Sequence, residues 1–228
     1  MHLLIVAATP FEVQPLKDYL TVHFAQLSDS HFKRDEMDIS LLITGVGMVS
    51  TAFALGHVLA KNHYNLIINA GIAGAFNRTF NIGDVVQVVS EQFGDLGVEE
   101  KDGRFTDVHE MGLIANEQLP FRNGRLLNEG SNQFNFLPAC KGLTVNKVHG
   151  SKASIKAISE KYDADVETME GAAFFFACLH SDMPFMQVRS ISNYVEPRNR
   201  EQWDLPLAIK NVNKVLIEML KVFSPELQ

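Results

Sequence analysis

The stretch Ser40-Leu41-Leu42-Ile43-Thr44-Gly45-Val46-Gly47-Met48-Val49-Ser50 opens a run to Ala60 that carries no formal charge. Its length approaches that needed to cross a bilayer. Gly45, Gly47, His57 and the interspersed Ser and Thr residues interrupt it, so it reads instead as a buried strand over residues 40–44, a glycine turn, and a helix over residues 49–61. This choice decides the fold, because the same alternation repeats along the chain. Short apolar runs suited to strands occur at residues 3–8, 65–70, 85–89, 144–148 and 185–190. Apolar residues at three- and four-residue intervals predict helices over residues 10–20, 151–162, 171–180 and 206–223. Strands alternating with helices imply an α/β chain with a largely parallel sheet covered on both faces. Ligands bind such sheets beyond the carboxyl ends of the strands, so the residues just after each strand are the candidates for chemistry.

The chain has 228 residues, 46% of them apolar, with no break in composition. That suits a single domain spanning residues 1–228. Lys and Arg total 20 against 27 Asp and Glu, and the cations are scattered. Nucleic acid, which needs clustered cations, is not an expected partner. Cys140 and Cys178 lie far apart and form no CxxC pair, so two inert buried thiols in a reducing compartment are expected. The eight histidines form no HExxH and no trustworthy ligand spacing with Asp or Glu, and no metal is expected. Met1-His2-Leu3-Leu4-Ile5-Val6-Ala7-Ala8 has no cationic leader and soon reaches Thr9-Pro10. A cytoplasmic protein without a membrane partner is expected. Residues 94–138, rich in Gly, Asn and acidic residues, are expected to form long surface loops.

The first strand leads into Thr9-Pro10-Phe11-Glu12, a Thr-x-x-Glu capping box with Pro in the first helical turn. Glu12 reads as a cap on its own, while its place at the sheet's carboxyl edge also suits a catalytic carboxylate. Gly45-Val46-Gly47-Met48-Val49-Ser50 has the placement of a dinucleotide fingerprint. It lacks the third Gly and the acidic residue about twenty positions on, so a nicotinamide cofactor is rejected and a tight turn presenting backbone amides to a small ligand is retained. Asn69-Ala70-Gly71-Ile72-Ala73-Gly74 reads as a second glycine-rich strand exit, and two such turns at one edge suggest a pocket of close backbone approach. Glu167-Thr168-Met169-Glu170 sets two carboxylates before an apolar helix. They suit the helix N-terminus, but a buried Glu170 would need donors, which a sugar diol supplies. Asn193, at the end of Arg189-Ser190-Ile191-Ser192-Asn193-Tyr194, is either a turn residue or a donor and acceptor for a purine edge. Trp203, the only tryptophan, suits the core or a stacking wall.

Taken together, Glu12, Gly45-Val46-Gly47, Asn69-Ala70-Gly71-Ile72-Ala73-Gly74, Gly83-Asp84-Val85-Val86, Met169-Glu170-Gly171-Ala172-Ala173 and Arg189-Ser190-Ile191-Ser192-Asn193 resemble the ordered motifs of the nucleoside phosphorylase superfamily. Within it, Asp95-Leu96-Gly97, Thr144-Val145-Asn146 and Glu167-Thr168-Met169-Glu170-Gly171-Ala172-Ala173 are similar to the futalosine hydrolases, enzymes of an alternative menaquinone pathway. The resemblance implies a three-layer α/β/α sandwich around a central mixed, largely parallel sheet, no cofactor, and a homo-oligomer, most simply a homodimer. It implies hydrolysis of a purine nucleoside's N-glycosidic bond, futalosine giving hypoxanthine and dehypoxanthinyl futalosine. The sister reading is a methylthioadenosine/S-adenosylhomocysteine or aminodeoxyfutalosine nucleosidase. By position, Glu12 matches the carboxylate that activates water, Met169 and Glu170 the ribose-contacting pair, Asn193 the residue facing purine N7, and Trp203 an aromatic at the far end of the pocket. Gly47, Ile72, Gly74 and Ser192 fall among the substrate-binding positions. One departure is Gly150-Ser151-Lys152-Ala153-Ser154, which has no aromatic where the methylthioadenosine nucleosidases stack the base.

Cleaving C1′–N9 builds positive charge on the ribose and negative charge on the base. Glu12 would deprotonate water, Glu170 would bind the ribose hydroxyls and favour the cation, and Asn193 would donate to N7. A neutral amide also suits a 6-oxopurine, and the same amide flipped suits adenine. A phosphorylase would need a cationic oxyanion cradle, and neither the turn at Ala8 nor the segment at Asn69 supplies an Arg-bearing one. A catalytically silent nucleoside-binding module would not need both carboxylates and the N7 donor.

Overall fold

A computed structural model describes residues 1–130 and 136–223. Its elements run β1 His2–Ala7, α1 Pro10–His23, β2 Ala25–Ser28, β3 His31–Arg34, β4 Met37–Ile43, α2 Met48–Leu59, β5 Leu66–Ala75 and β6 Val85–Glu91. Two short hairpins come next, β7 Gly97–Glu99 with β8 Phe105–Asp107 and β9 Phe121–Arg122 with β10 Arg125–Leu127. The chain ends with β11 Ala139–Thr144, α3 Lys152–Lys161, β12 Val166–Thr168, α4 Gly171–His180, β13 Phe185–Tyr194 and α5 Leu205–Phe223.

The main sheet is mixed. β1 lies parallel to β4 and β5, β5 to β13, and β11 to β12 and β6. β12–β5 and β13–β6 pair antiparallel, as do the flanking β2–β3–β4 and β6–β10–β9. Successive side chains of β1 go to opposite faces: Leu3 and Ile5 pack with α1 and α5, and Leu4 and Val6 pack with α2 and α4. The architecture is therefore the expected three-layer α/β/α sandwich around a mixed sheet, in which the antiparallel pairs β5–β12 and β6–β13 lie among the central parallel ones.

Burial fixes the helix that carries Glu12. Leu16 and Leu20 of α1 and Val212 and Leu216 of α5 are at most 1% exposed, each contributing about 1.5 to 3 kcal/mol by leaving water. Asn213 of α5 adds a polar lock. It accepts from Leu16 N–H at 3.0 Å and donates to the Glu12 carbonyl at 2.8 Å. A buried amide with its donor and acceptor both used holds α1 in one register.

The structure corrects several sequence expectations. Residues 144–148 are not a strand; β11 ends at Thr144. Beyond it the backbone turns to side chains, with Asn146 N–H on Asp95 and His149 N–H on Glu167. β11 itself escapes notice because Ala139 and Lys141 are exposed and Gly142 is small for a reason: a Cβ there would lie 2.4 Å from Glu91 Oε1. The segment Asn69–Gly74 is no turn either, since β5 runs straight through to Ala75. Its glycines clear space for neighbouring side chains. Residues 94–138 are not all loop, because they hold both hairpins, and Leu126 and Phe121 are buried in the core. Residues 131–135 of that expectation lie outside the described residues. By contrast Gly45 and Gly47 do turn, with φ of 84° and 91°, where a side chain would be strained. The uncharged stretch from Ser40 to Ala60 is thus the end of β4, this turn, and α2.

Candidate active site

A cavity of about 600 Å³ opens at the carboxyl ends of the central strands, where α/β sheets place ligands. Glu12, Ile72, Gly74, Met169, Glu170, Ser192, Asn193 and Trp203, all anticipated from sequence, line it. Gly47 does not; it stands behind Glu170.

Glu12 combines the two readings left open for it. Oε2 accepts from Thr9 N–H at 2.9 Å and from the Thr9 hydroxyl at 3.0 Å, which serves the start of α1. Oε1 is turned the other way and accepts from Ile72 N–H at 3.3 Å. Gly71 makes this possible, because a Cβ there would sit 2.5 Å from Glu12 Oε1 and 2.8 Å from Arg189 Nη1. Glu12 and Arg189 therefore meet over a bare stretch of β5. Arg189 is 3% exposed, with one long bond to Asn69 Oδ1 at 3.4 Å and a buried Nε that has no partner among the described residues.

Glu170 sits at the N-cap of α4, yet its side chain makes no capping bond. The hydroxyls of Thr168 and Thr144 take that role, accepting from Gly171 and Ala172 N–H. The Glu170 carboxylate instead accepts Gly47 N–H at 2.9 Å. The amide expected to meet a ligand is thus spent on holding the acid that would meet it. Burial pushes the Glu170 carboxyl above its ordinary range, against the pull of Arg189 and the Gly47 amide.

Asn193 is placed by an irregularity in β13. Ile191 pairs with Ala73 of β5, but Asn193 pairs with Gly74, so Ser192 is an extra residue that re-aims Asn193 and Tyr194. Asn193 Nδ2 donates to the Tyr194 carbonyl at 2.9 Å, and Oδ1 accepts from the Ser192 hydroxyl at 2.8 Å. The opposite amide orientation would set two carbonyl oxygens against each other. The second Nδ2 hydrogen stays available. Trp203, at the end of the short 3-10 turn Arg200–Gln202, has the Arg198 guanidinium 5.1 Å from its ring centre.

Some lining residues carried no assigned role in the sequence reading. His149 lies in the cavity wall with Nδ1 on Glu167 Oε1 and its own N–H on Glu167 Oε2 at 3.1 Å. The loop bearing it is tied by Asp95, which accepts from Asn146 N–H at 2.6 Å and from its side-chain amide at 3.2 Å. Two sequence motifs far apart in the chain thereby clamp one another outside the cavity. Arg189 belonged to a quoted motif, but only the fold reveals that it faces Glu12. Cys140 and Cys178 are buried, as expected, and burial raises both thiols.

Comparison with known proteins agrees with this geometry. The Phosphorylase superfamily profile matches residues 2–222. A futalosine hydrolase of Acidothermus cellulolyticus is 32% identical over 75% of this chain and 71% of its own. A 5'-methylthioadenosine/S-adenosylhomocysteine nucleosidase of Haemophilus ducreyi is 28% identical over 96% and 97%. Among solved structures, the futalosine hydrolase of Helicobacter pylori superposes with a TM-score of 0.78 at 18% identity, covering 97% of each chain.

Proposed function

The chain belongs to the phosphorylase superfamily and is a purine-nucleoside N-ribosyl hydrolase; we propose that its substrate is futalosine, cleaved by water to hypoxanthine and dehypoxanthinyl futalosine. The observation that carries hydrolysis over phosphorolysis is the charge at the cavity, where three carboxylates, Glu12, Glu167 and Glu170, outnumber two arginines, Arg198 in the wall and Arg189 behind it beside Glu12. A phosphate dianion would meet net negative charge, whereas a water meets a base.

In this reading Glu12 Oε1 and Arg189 Nη1 converge over Gly71 closely enough for one water to touch both. Glu12 accepts its proton as the oxygen attacks C1′. Glu170, steadied by Gly47, binds the ribose hydroxyls and opposes the positive charge on the sugar. Met169 packs against the ribose, and Asn193 Nδ2 donates to N7 as the base leaves. Trp203 and Arg198 bound the far end, where a substituent on C5′ would extend. No cofactor enters any step.

The same reading includes a homodimer. Phe11 and Val46 line the cavity while remaining 78% and 54% exposed, and Val49 and Phe53 of α2 are 81% and 78% exposed. Apolar side chains around a pocket mouth are what a second subunit would cover. A cytoplasmic location accords with the two unpaired thiols.

The test is release of hypoxanthine from futalosine with and without inorganic phosphate. Equal rates and a free reducing sugar are expected. A sugar 1-phosphate formed in proportion to hypoxanthine would overturn hydrolysis, and preferential cleavage of methylthioadenosine would favour the sister nucleosidase.

A further inference from the structure

We infer that His149, oriented by Glu167, reads the six-membered edge of the purine and selects a 6-oxopurine over a 6-aminopurine. The inference rests on the proposed nucleosidase reading and adds a specificity-determining pair to it.

The sheet register supplies the geometry. Glu167 of β12 lies opposite Gly74 of β5, and Asn193 of β13 lies opposite the same Gly74 from the other side. Residues directly opposite in neighbouring strands send their side chains to the same face. Glu167 and Asn193 therefore rise on one face with a glycine between them, two strand spacings apart, or roughly 10 Å. A Cβ at Gly74 would press on Asn193 Nδ2 at 3.1 Å. The row is thus a flat floor without a side chain, bounded by an amide on one side and by the His149–Glu167 pair on the other. A planar base fits such a floor with polar groups at both of its ends.

The chemistry of the pair fixes what it reads. Both Glu167 oxygens are occupied by His149, one by the ring Nδ1 and one by the backbone N–H. The carboxylate, 4% exposed, holds the ring in place and keeps a proton on Nδ1. With that proton on Nδ1, Nε2 is the ring's accepting nitrogen, and it has no protein partner among the described residues. A 6-oxopurine carries a hydrogen on N1 and donates to such a nitrogen. A 6-aminopurine presents a bare N1 lone pair there, leaving two acceptors facing each other out of water. Sites built around a ligand's hydrogen-bonding hydrogen reject analogues that lack it far more strongly than sites that judge size. With Asn193 at N7, the two ends of the base are read by separate residues on one row of the sheet.

The experiment compares kcat/KM for futalosine and for its 6-amino counterpart in the parent enzyme and in the His149→Ala, His149→Gln and Glu167→Gln variants. The parent is expected to favour the oxo nucleoside by more than about 100-fold, the level that sites judging only size reach. Removing the acceptor in His149→Ala should bring the ratio close to one, chiefly by loss on futalosine. Gln in place of His149 offers donor and acceptor alike and should also flatten the ratio. Glu167→Gln keeps the shape, yet its amide donates to Nδ1 and moves the ring proton to Nε2; the ratio should then fall at least tenfold or invert. Equal slowing of both nucleosides in all variants would mean a structural pair only and would overturn the inference, as would a parent that favours the 6-amino substrate. Calorimetric binding of free hypoxanthine and adenine to the same proteins gives a second readout that needs no bond cleavage. If the parent cleaves neither nucleoside, the substrate reading fails, while the ratio of base affinities and its response to Glu167→Gln still decide the role of the pair.

Discussion

Glu170 and Glu91 both stand beside the start of α4, and burial raises the carboxyl of each. Glu170 borders the cavity and leans on backbone amides, chiefly Gly47 N–H. Glu91 is 0% exposed and receives the Gln187 amide at 2.6 Å and the Thr144 hydroxyl at 2.9 Å. Space for it is made by Gly171 and Gly142, since added Cβ atoms would come within 1.9 Å and 2.4 Å of Glu91 Oε1. A perturbed acid is often taken as a mark of catalysis. In the proposed mechanism the same perturbation belongs to two different jobs, and access to the cavity separates them. Replacing each carboxylate by its amide sharpens the contrast, because shape is kept and only charge and protonation change.

The largest loss is expected outside the pair, at Glu12, whose Oε1 is the base in the proposed mechanism. Glu12→Gln should lower kcat by about 10³-fold, within the span usual for losing a general base. Its effect on thermal unfolding should be slight, because the Gln carbonyl still accepts from Thr9 N–H. A variant that unfolds early but turns over normally would return Glu12 to a capping role alone. Glu170→Gln comes next. It leaves an acceptor for Gly47 N–H but removes the negative charge that the proposed mechanism sets against the developing cation. A loss of about 3 to 4 kcal/mol, or 10²- to 10³-fold, should fall on kcat more than on KM. Steady-state kinetics showing only a raised KM would make Glu170 a ground-state binder and blur its difference from Glu91.

That difference was only partly legible in the sequence. Helix α4 could be read to the residue, since Gly171 opens an unbroken apolar run. Glu12, Glu170 and Asn193 could be named because each lies just past a strand or ends one, and the topology gathers strand ends at one edge. The reading stopped at Gly71 and Gly74, which look like turn formers. Inside β5 they are places where Glu12, Arg189 and Asn193 approach the backbone, and nothing local in the sequence distinguishes the two uses of glycine. His149 and Glu167 were invisible as a pair for a related reason. They are joined only when β11 and β12 align in parallel and the loop after β11 folds back onto the sheet. Glu91 passed without notice altogether, as the last residue of a strand whose partners Gln187 and Thr144 come from β13 and β11.

The smallest effect on activity is expected at Glu91, and its test lies in stability instead. Its carboxyl is pushed from the ordinary 4.5 up to about 7, first by burial, with Gln187, Thr144 and Arg189 opposing the rise. Between those two values the folded protein keeps a proton that the unfolded chain has released. The folded state then binds more protons, so stability must fall as pH rises through this window. The contribution from Glu91 is thus full below about 4.5, declines toward 7, and levels off above it. At about 1.4 kcal/mol per unit, the total decline is on the order of a few kcal/mol. Gln at this position resembles the protonated acid: its carbonyl accepts from Gln187 and its amide can donate to the Thr144 hydroxyl. Glu91→Gln should therefore change kcat by no more than about threefold and remove this part of the pH dependence. Urea midpoints at pH 5 and pH 8 provide the check. The variant should gain on the parent at pH 8 relative to pH 5, with other titrating groups cancelling in the difference. An equal offset at both values would mean that Glu91 stays charged in the fold. A large fall in kcat would mean that its charge reaches the cavity, and the division of labour between the two acids would be lost.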